Sequence, residues 1–312
     1  MINRRLIRIK TFQALFGSLE SAESKQTHIQ SSIEKSIHGM KQNLFAVLSF
    51  GPELAHFISA EYNPSEFKYT TTSEDTKSFD LFTKNPLINK LAEQEDLLHY
   101  MDRPTISWSQ EKETLFIIYK ELKKSEEYKA FIQSNINEND FISFGKYIYK
   151  HLIFKSVEFE QFMEEKNIFW YDEKIPIIKS IEKIFEIFDQ KNTVVIPALF
   201  KNEKEDLKMV DDLLTAYFNN KFDLEESLTN YTPDWDNDRI TKIDYTLLLM
   251  ALTEFKYMPM IPVKVTLNEY IEIAKMYSTP KSSKFINGTL DKILHDWKKQ
   301  DMIHKKGRGL IG

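Results

Sequence analysis

Cysteine is absent from the 312 residues of this chain. That excludes disulfides, thiolate metal ligands and cysteine nucleophiles, and it fits a reducing compartment. Glycine and proline are scarce, with eight and ten residues. Sandwiches and barrels need many tight turns, and α/β folds place glycine in their βα loops, so the shortage points away from both classes. Also lacking is any apolar run near the roughly 18 residues that would cross a bilayer. The first residues are basic, but Arg8 and Lys10 interrupt what would have to be a signal-peptide core. The expectation is a cytoplasmic, all-α protein with no membrane segment.

What the chain does contain is 42% apolar residues, enough for a substantial core, and a net charge of −5 that is unevenly spread. Residues 1–20 sum to +3 and residues 281–312 to +5, which leaves −13 for the residues between. Two basic ends flank an acidic middle, and a fold that joins them would create a local positive surface.

Apolar residues recur at helical spacing in the opening segment RRLIRIKTFQALFGSLE, at Leu6, Ile9, Phe12, Leu15, Phe16 and Leu19, with Arg4, Arg5 and Arg8 off that stripe. The same period runs through Ile33–Val47, Leu115–Leu122 and Ile177–Phe188, and it sharpens from Asp206 onward. Residues 61–78 are polar and read as a loop, and TVVIPALF at 193–200 is the one stretch with strand character, weakened by Pro197. Thr266 and Glu269 have the spacing of a capping box, and Ser282 or Ser283 suits the N-cap of a last helix after Pro280. About ten helices are expected.

Several suggestive patterns fail on chemistry. Asp234, Asp236 and Asp238 imitate a calcium loop, but Arg239 holds the glycine position and Tyr245 the bidentate glutamate position. GRGLIG at 307–312 spells a dinucleotide fingerprint with no helix after it, and reads as a flexible tail. No histidine pair has metal-ligand spacing, and no Walker loop, nucleophile elbow or catalytic carboxylate pair stands out. Hence no catalytic residue, metal, cofactor or small-molecule substrate is expected.

Two basic clusters remain, each with two open readings. Arg4, Arg5, Arg8 and Lys10 precede any acidic residue. They are either a solvated helix face or an anion-binding one, and cations in a first turn oppose the helix dipole. In KSSKFINGTLDKI at 281–293, Phe285 is either a core aromatic or a stacking platform flanked by Lys281 and Lys284. Gly288 sits inside that helix at a cost of about 1 kcal/mol relative to alanine. Close helix–helix approach is the expected compensation.

Four ordered segments, RRLIRIKTFQALF at 4–16, WDNDRITKIDYTLLLMALTEF at 235–255, IPVKVTLNEYIEIAKMYS at 261–278 and KSSKFINGTLDKI at 281–293, together resemble the NusB family of transcription antitermination factors. The resemblance implies a NusB-like helical bundle without catalysis. It further implies an adaptor that pairs with NusE, a small-subunit ribosomal protein, to grip boxA-type RNA of ribosomal transcripts within the RNA polymerase elongation complex. Position by position, it places Arg4, Arg5, Arg8 and Gln13 at the RNA, with Lys10, Lys281, Ser282, Lys284 and Phe285 beside them. Phe16 and Asp244 fall on the NusE side. It also implies that the first and last helices lie close together, so that the basic ends merge.

Departures are visible: Leu6 stands where a third arginine is common, Lys281 where an acidic residue is frequent, and Phe16 lacks a tyrosine hydroxyl. The organisation expected is a first core helix at 1–20, a helical insertion at 21–204, the rest of the core at 205–300 and a basic tail at 301–312. A methyltransferase carrying such a domain would need a further α/β domain, which is missing. The remaining alternative is a helical protein-interaction scaffold, or ribosome-assembly factor, that has lost RNA contact.

Overall fold

The computed structural model describes residues 2–19, 25–67, 70–134, 137–232 and 241–310. The Asp234–Arg239 pattern, the Trp235–Ile240 motif, Glu20 and the last two residues lie outside that set. Among the described residues every regular element is a helix, and there is no strand. Helices α1 (Arg4–Ser18) and α2 (Gln26–Glu61) come first. Then follow α3 (Pro64–Phe67), α4 (Ser73–Thr83), α5 (Pro86–Ala92), α6 (Glu95–Asp102), α7 (Lys112–Lys124), α8 (Glu126–Gln133), α9 (Glu138–Tyr147), α10 (Val157–Lys166) and α11 (Trp170–Lys191). The last four are α12 (Glu203–Tyr231), α13 (Lys242–Tyr257), α14 (Val263–Tyr277) and α15 (Pro280–Lys299).

The chain divides into two compact units, one of residues 38–199 and the other of residues 2–37 with 200–312. Both divisions fall inside the 21–204 segment, and α2 supplies residues to each unit. The 38–199 unit has its own aromatic-rich core, in which Trp108 lies between Phe50, Phe159 and Phe162 at centroid distances of 4.8–5.5 Å. Pro52 interrupts α2 there. Lacking an N–H, it leaves the Leu48 carbonyl without its helical donor. The buried Tyr149 hydroxyl takes that place, donating to Leu48 O at 2.6 Å while accepting from Gly51 N at 3.1 Å. An added Cβ on Gly51 would sit 2.3 Å from that hydroxyl, so the glycine is required by the close approach.

In the other unit α13 is the central element. Leu247 to Leu252 are all buried, because α13 packs against α1, α12, α14 and α15. A helix that is apolar all round belongs in a core. Local chemistry sets the ends of its neighbours. Asn3 caps α1 by accepting from Leu6 N, and Thr279 caps α15 by accepting from Ser282 N, with Pro280 in the first turn.

Several expectations change here. Thr279, not Ser282 or Ser283, is the cap of α15. Helix α14 begins at Val263, so Thr266 and Glu269 lie inside it and use their side chains for tertiary contacts instead of a capping box. Residues 61–78 contain α3 and the start of α4, where Thr72 and Asp75 do form a capping box. Residues 193–200 are irregular. The tail is docked rather than loose: Lys306 N donates to Pro259 O at 2.9 Å, and Lys305 Nζ donates to Glu254 O and Met258 O at 2.8 and 2.9 Å.

Candidate nucleic-acid interface

The four N-terminal cations split into two pairs. Residues Leu6 to Phe12 are all buried, because α1 is enclosed within its unit and has no continuous outer face at mid-length. Arg8 is therefore a core residue, 2% exposed, and its Nε and Nη2 meet the fully buried Glu254 carboxylate at 2.6 and 2.9 Å. Glu254 also accepts from Thr266 Oγ1 and Tyr270 Oη, each at 3.0 Å. Burial disfavours charge on Arg8, but the adjoining Glu254 outweighs it and raises the guanidinium above its ordinary value. Burial, reinforced by Glu254, raises the Tyr270 phenol well above its usual range. Lys10 is likewise buried and donates to Ser36 Oγ at 2.7 Å. The expectation that Arg8 and Lys10 face outward is thus corrected, since both charges are committed inside.

Arg4 and Arg5 stay on the surface. Arg5 forms a two-pronged pair with Glu269 on α14 at 2.8 and 3.0 Å, and the Glu269 hydrogen bond raises its pKa. Arg4 has a looser partner, Glu205 at 3.8 Å. It also lines a cleft of about 260 Å³ shared with Arg308 of the tail and floored by Met209, Met258 and Ile261. Further along α1, Gln13 Nε2 donates to Tyr277 Oη at 3.0 Å. Phe12 packs edge-on against the Tyr277 ring at 5.2 Å, and Phe16, one turn on, is 36% exposed. The pairs Arg5–Glu269 and Gln13–Tyr277 advance equally along both helices, so α1 and α14 run parallel. Their eight-residue separation is about 12 Å at 1.5 Å per residue.

At the Tyr277 end the chain turns into α15. Lys281 and Lys284 are exposed, make no ion pair among the described residues, and lie with Gly288 on one helical face at i, i+3 and i+7. Phe285 is half-buried beside them. Ser282 is turned inward, with its hydroxyl 3.0 Å from Thr279 Oγ1, so it shapes the helix start and does not face the surface. Gly288 is corrected as well. It is exposed, and an added Cβ would meet nothing within 4 Å, so no helix approaches it. Asp244 is buried and accepts from Ser278 Oγ at 2.7 Å, which ties the start of α13 to the α14–α15 turn.

The expected merging of the N-terminal arginines with the Lys281–Lys284 face is therefore corrected: Arg4 and Arg5 stand at the end of the parallel α1–α14 pair away from the turn into α15, and the basic ends meet instead through the tail. Arg4 shares its cleft with Arg308, while Gln13 and Phe16 share their end of α1 with Tyr277, four residues before Lys281. Sequence reasoning counted the tail cations in the basic C-terminal end but named none of them as a site residue. The GRG turn was the available signal. Among the described residues no cluster of His, Asp or Glu could hold a metal, and no helix is long and apolar enough to cross a membrane.

The unit is thus all-α, with two exposed lysines beside a half-buried aromatic at the start of α15. Comparison with known proteins gives its lineage. The NusB family model matches residues 177–295, which run from α11 into α15. Transcription antitermination protein NusB of Listeria monocytogenes is 37% identical over 117 residues, covering 37% of this chain and 90% of that protein. Its namesake in Salinibacter ruber is 47% identical over 88 residues, covering 28% of this chain and 55% of that protein. The Chloroherpeton thalassium protein of that name is 39% identical over 99 residues, covering 32% and 47%. The chain thus belongs to the NusB family. It spans about half the length of the last two relatives. No solved structure matches it.

Proposed function

We propose that this chain is a cytoplasmic, non-catalytic antitermination factor that binds boxA-type single-stranded RNA together with NusE and joins the RNA polymerase elongation complex. The observation that carries this reading is the exposed face of α15, where Lys281 and Lys284 make no ion pair among the described residues and the half-buried Phe285 lies beside them. Cations on the backbone with an aromatic for the base is how single strands are held without a deep groove. Arg4 and Arg5 add phosphate contacts at the far end of α1, where their carboxylate partners are solvent-accessible and exchangeable. Arg8, Lys10 and Ser282 act through shape, by fixing α1 and the start of α15. Gln13 sits at the seam between the two helices. Phe16, exposed beside Tyr277, offers NusE an apolar contact, and Asp244 holds the turn behind it.

Gel-shift titration of boxA RNA, with and without NusE, tests the reading. Lys281→Glu with Lys284→Glu should weaken binding with helicity unchanged. For the native protein log affinity should fall with log salt, at about −0.7 per phosphate neutralised. Binding that ignores salt would sink this proposal. The scaffold alternative draws on the burial of Arg8 and Lys10, which thins the basic surface. It is favoured if NusE binds and RNA does not.

A further inference from the structure

Apart from Arg308 in the Arg4 cleft, the GRG turn and the tail around it take no part in the surface just described, yet they are firmly held. Gly307 has φ +52°, a left-handed conformation that favours glycine, and an added Cβ would lie 2.8 Å from Met260 Cε. A Cβ on Gly309 would lie 1.9 Å from the Pro259 carbonyl oxygen, which no side chain tolerates. Together with the Lys305 and Lys306 bonds to the end of α13 and to Pro259, these contacts turn the tail into a fixed wall.

Behind that wall is a cleft of about 500 Å³ lined by Val263, Lys298, His304, Lys305 and Lys306, with Ile303 and Leu310, and no carboxylate among its lining residues. The nearest acid on the tail is Asp301, exposed and 4.0 Å from His304 Nδ1. Lys298 is in the last turn of α15, where the helix dipole alone would justify it. Lys305 is used internally. Lys306 and the neighbouring Lys264 have no such explanation, and neither forms an ion pair among the described residues. Val263 is also the first residue of α14, whose cap, Pro262, has no side-chain acceptor and whose first turn contains no acidic residue. The cleft therefore joins side-chain cations to a helix N-terminus that lacks its usual negative partner.

We propose that this cleft is a phosphate-binding site that engages the same RNA chain beyond the Lys281–Phe285 face. The inference rests on the RNA-binding reading above. Lys281 and Lys298 lie at opposite ends of α15, about 25 Å apart along its axis. A short RNA seated at Phe285 stops before the cleft, and one with flanking nucleotides reaches it.

The experiment compares native protein, Lys298→Gln with Lys306→Gln, and Lys281→Glu with Lys284→Glu, on a short boxA oligonucleotide and on a flank-extended one. Both residues changed to glutamine are exposed, and neither caps α13. The tail variant should bind the short RNA as native does. Its salt slope on the extended RNA should be smaller by about 1.4, two phosphates at about 0.7 each. Inorganic phosphate, titrated while the Val263 and Lys264 amide resonances are followed, should shift both in the native protein and neither in the tail variant. If the tail variant matches native on both RNAs while the Lys281/Lys284 variant loses binding, the RNA reading stands and this inference fails. If phosphate binds in the cleft but the two RNAs behave alike, the site takes free anions only and the inference also fails. If neither variant affects RNA, the reading beneath it falls too.

Discussion

Gln13 and Tyr277 meet at 3.0 Å, and eight residues earlier on each helix Arg5 meets Glu269 at 2.8 Å. This register fixes where the N-terminal cations stand along the helix pair. Those at the start of α1 face the tail side, and the turn into α15 belongs with the far end. It also separates the interior pair, Arg8–Glu254, from the surface pair, Arg5–Glu269.

Arg8→Met should destabilise the protein by about 3–5 kcal/mol, because it leaves Glu254 buried without its counter-charge. Arg5→Gln, which opens an exposed pair, should cost no more than about 1 kcal/mol. Urea denaturation of both variants checks the contrast. Equal losses would mean that the two arginines are energetically alike, against the burial difference.

Gly288→Ala should stabilise the fold by about 0.5–1 kcal/mol, since the added methyl meets open space in a helix interior. BoxA affinity, measured on the same variant, asks whether the bare backbone matters to RNA. A more stable protein that binds less tightly would show that the glycine clears room for a nucleotide.

Tyr149→Phe removes the hydroxyl that serves the Leu48 carbonyl and Gly51 N–H. The loss should be about 1–3 kcal/mol, the penalty for buried polar groups left unsatisfied. Thermal unfolding reads it, and an unchanged midpoint would mean that α2 closes around Pro52 without help.

Burial lowers the Lys305 pKa to about 8, so above that pH the folded state holds fewer protons here than the unfolded chain does. The linked stability therefore rises as pH climbs from about 8 toward the ordinary lysine range, where the unfolded chain also loses its proton. Lys305→Met should lack that increment. The difference between native and variant stability across this window isolates it from other titrating groups.

How far the sequence was legible depended on where the deciding partner lay. The apolar period of α1, α14 and α15 is local, and so were the segments that resembled the family. Arg8 read as a surface charge because Glu254 lies 246 positions away, and Lys10 because its partner Ser36 is on the next helix, so nothing adjacent in sequence announces either. Gly288 read as a packing glycine because a gap in a helix does not say which way it faces. The short helices α3, α5, α6 and α8 offer too few residues for a periodic stripe, so their region looked emptier than it is. The tail looked loose because its anchors, Pro259 and Met258, are on a turn that precedes it by a whole pair of helices.

Glu254 is a hub. Its carboxylate holds Arg8, Thr266 and Tyr270, and its backbone oxygen holds Lys305, so α1, α14 and the tail all depend on one residue of α13. A mutational screen scored by loss of binding would return Glu254, Arg8 and Tyr270 as hits, although none of them reaches the outside of the molecule. Keystone and contact residues would look alike in such a screen, and only a melting curve run beside each hit would tell them apart.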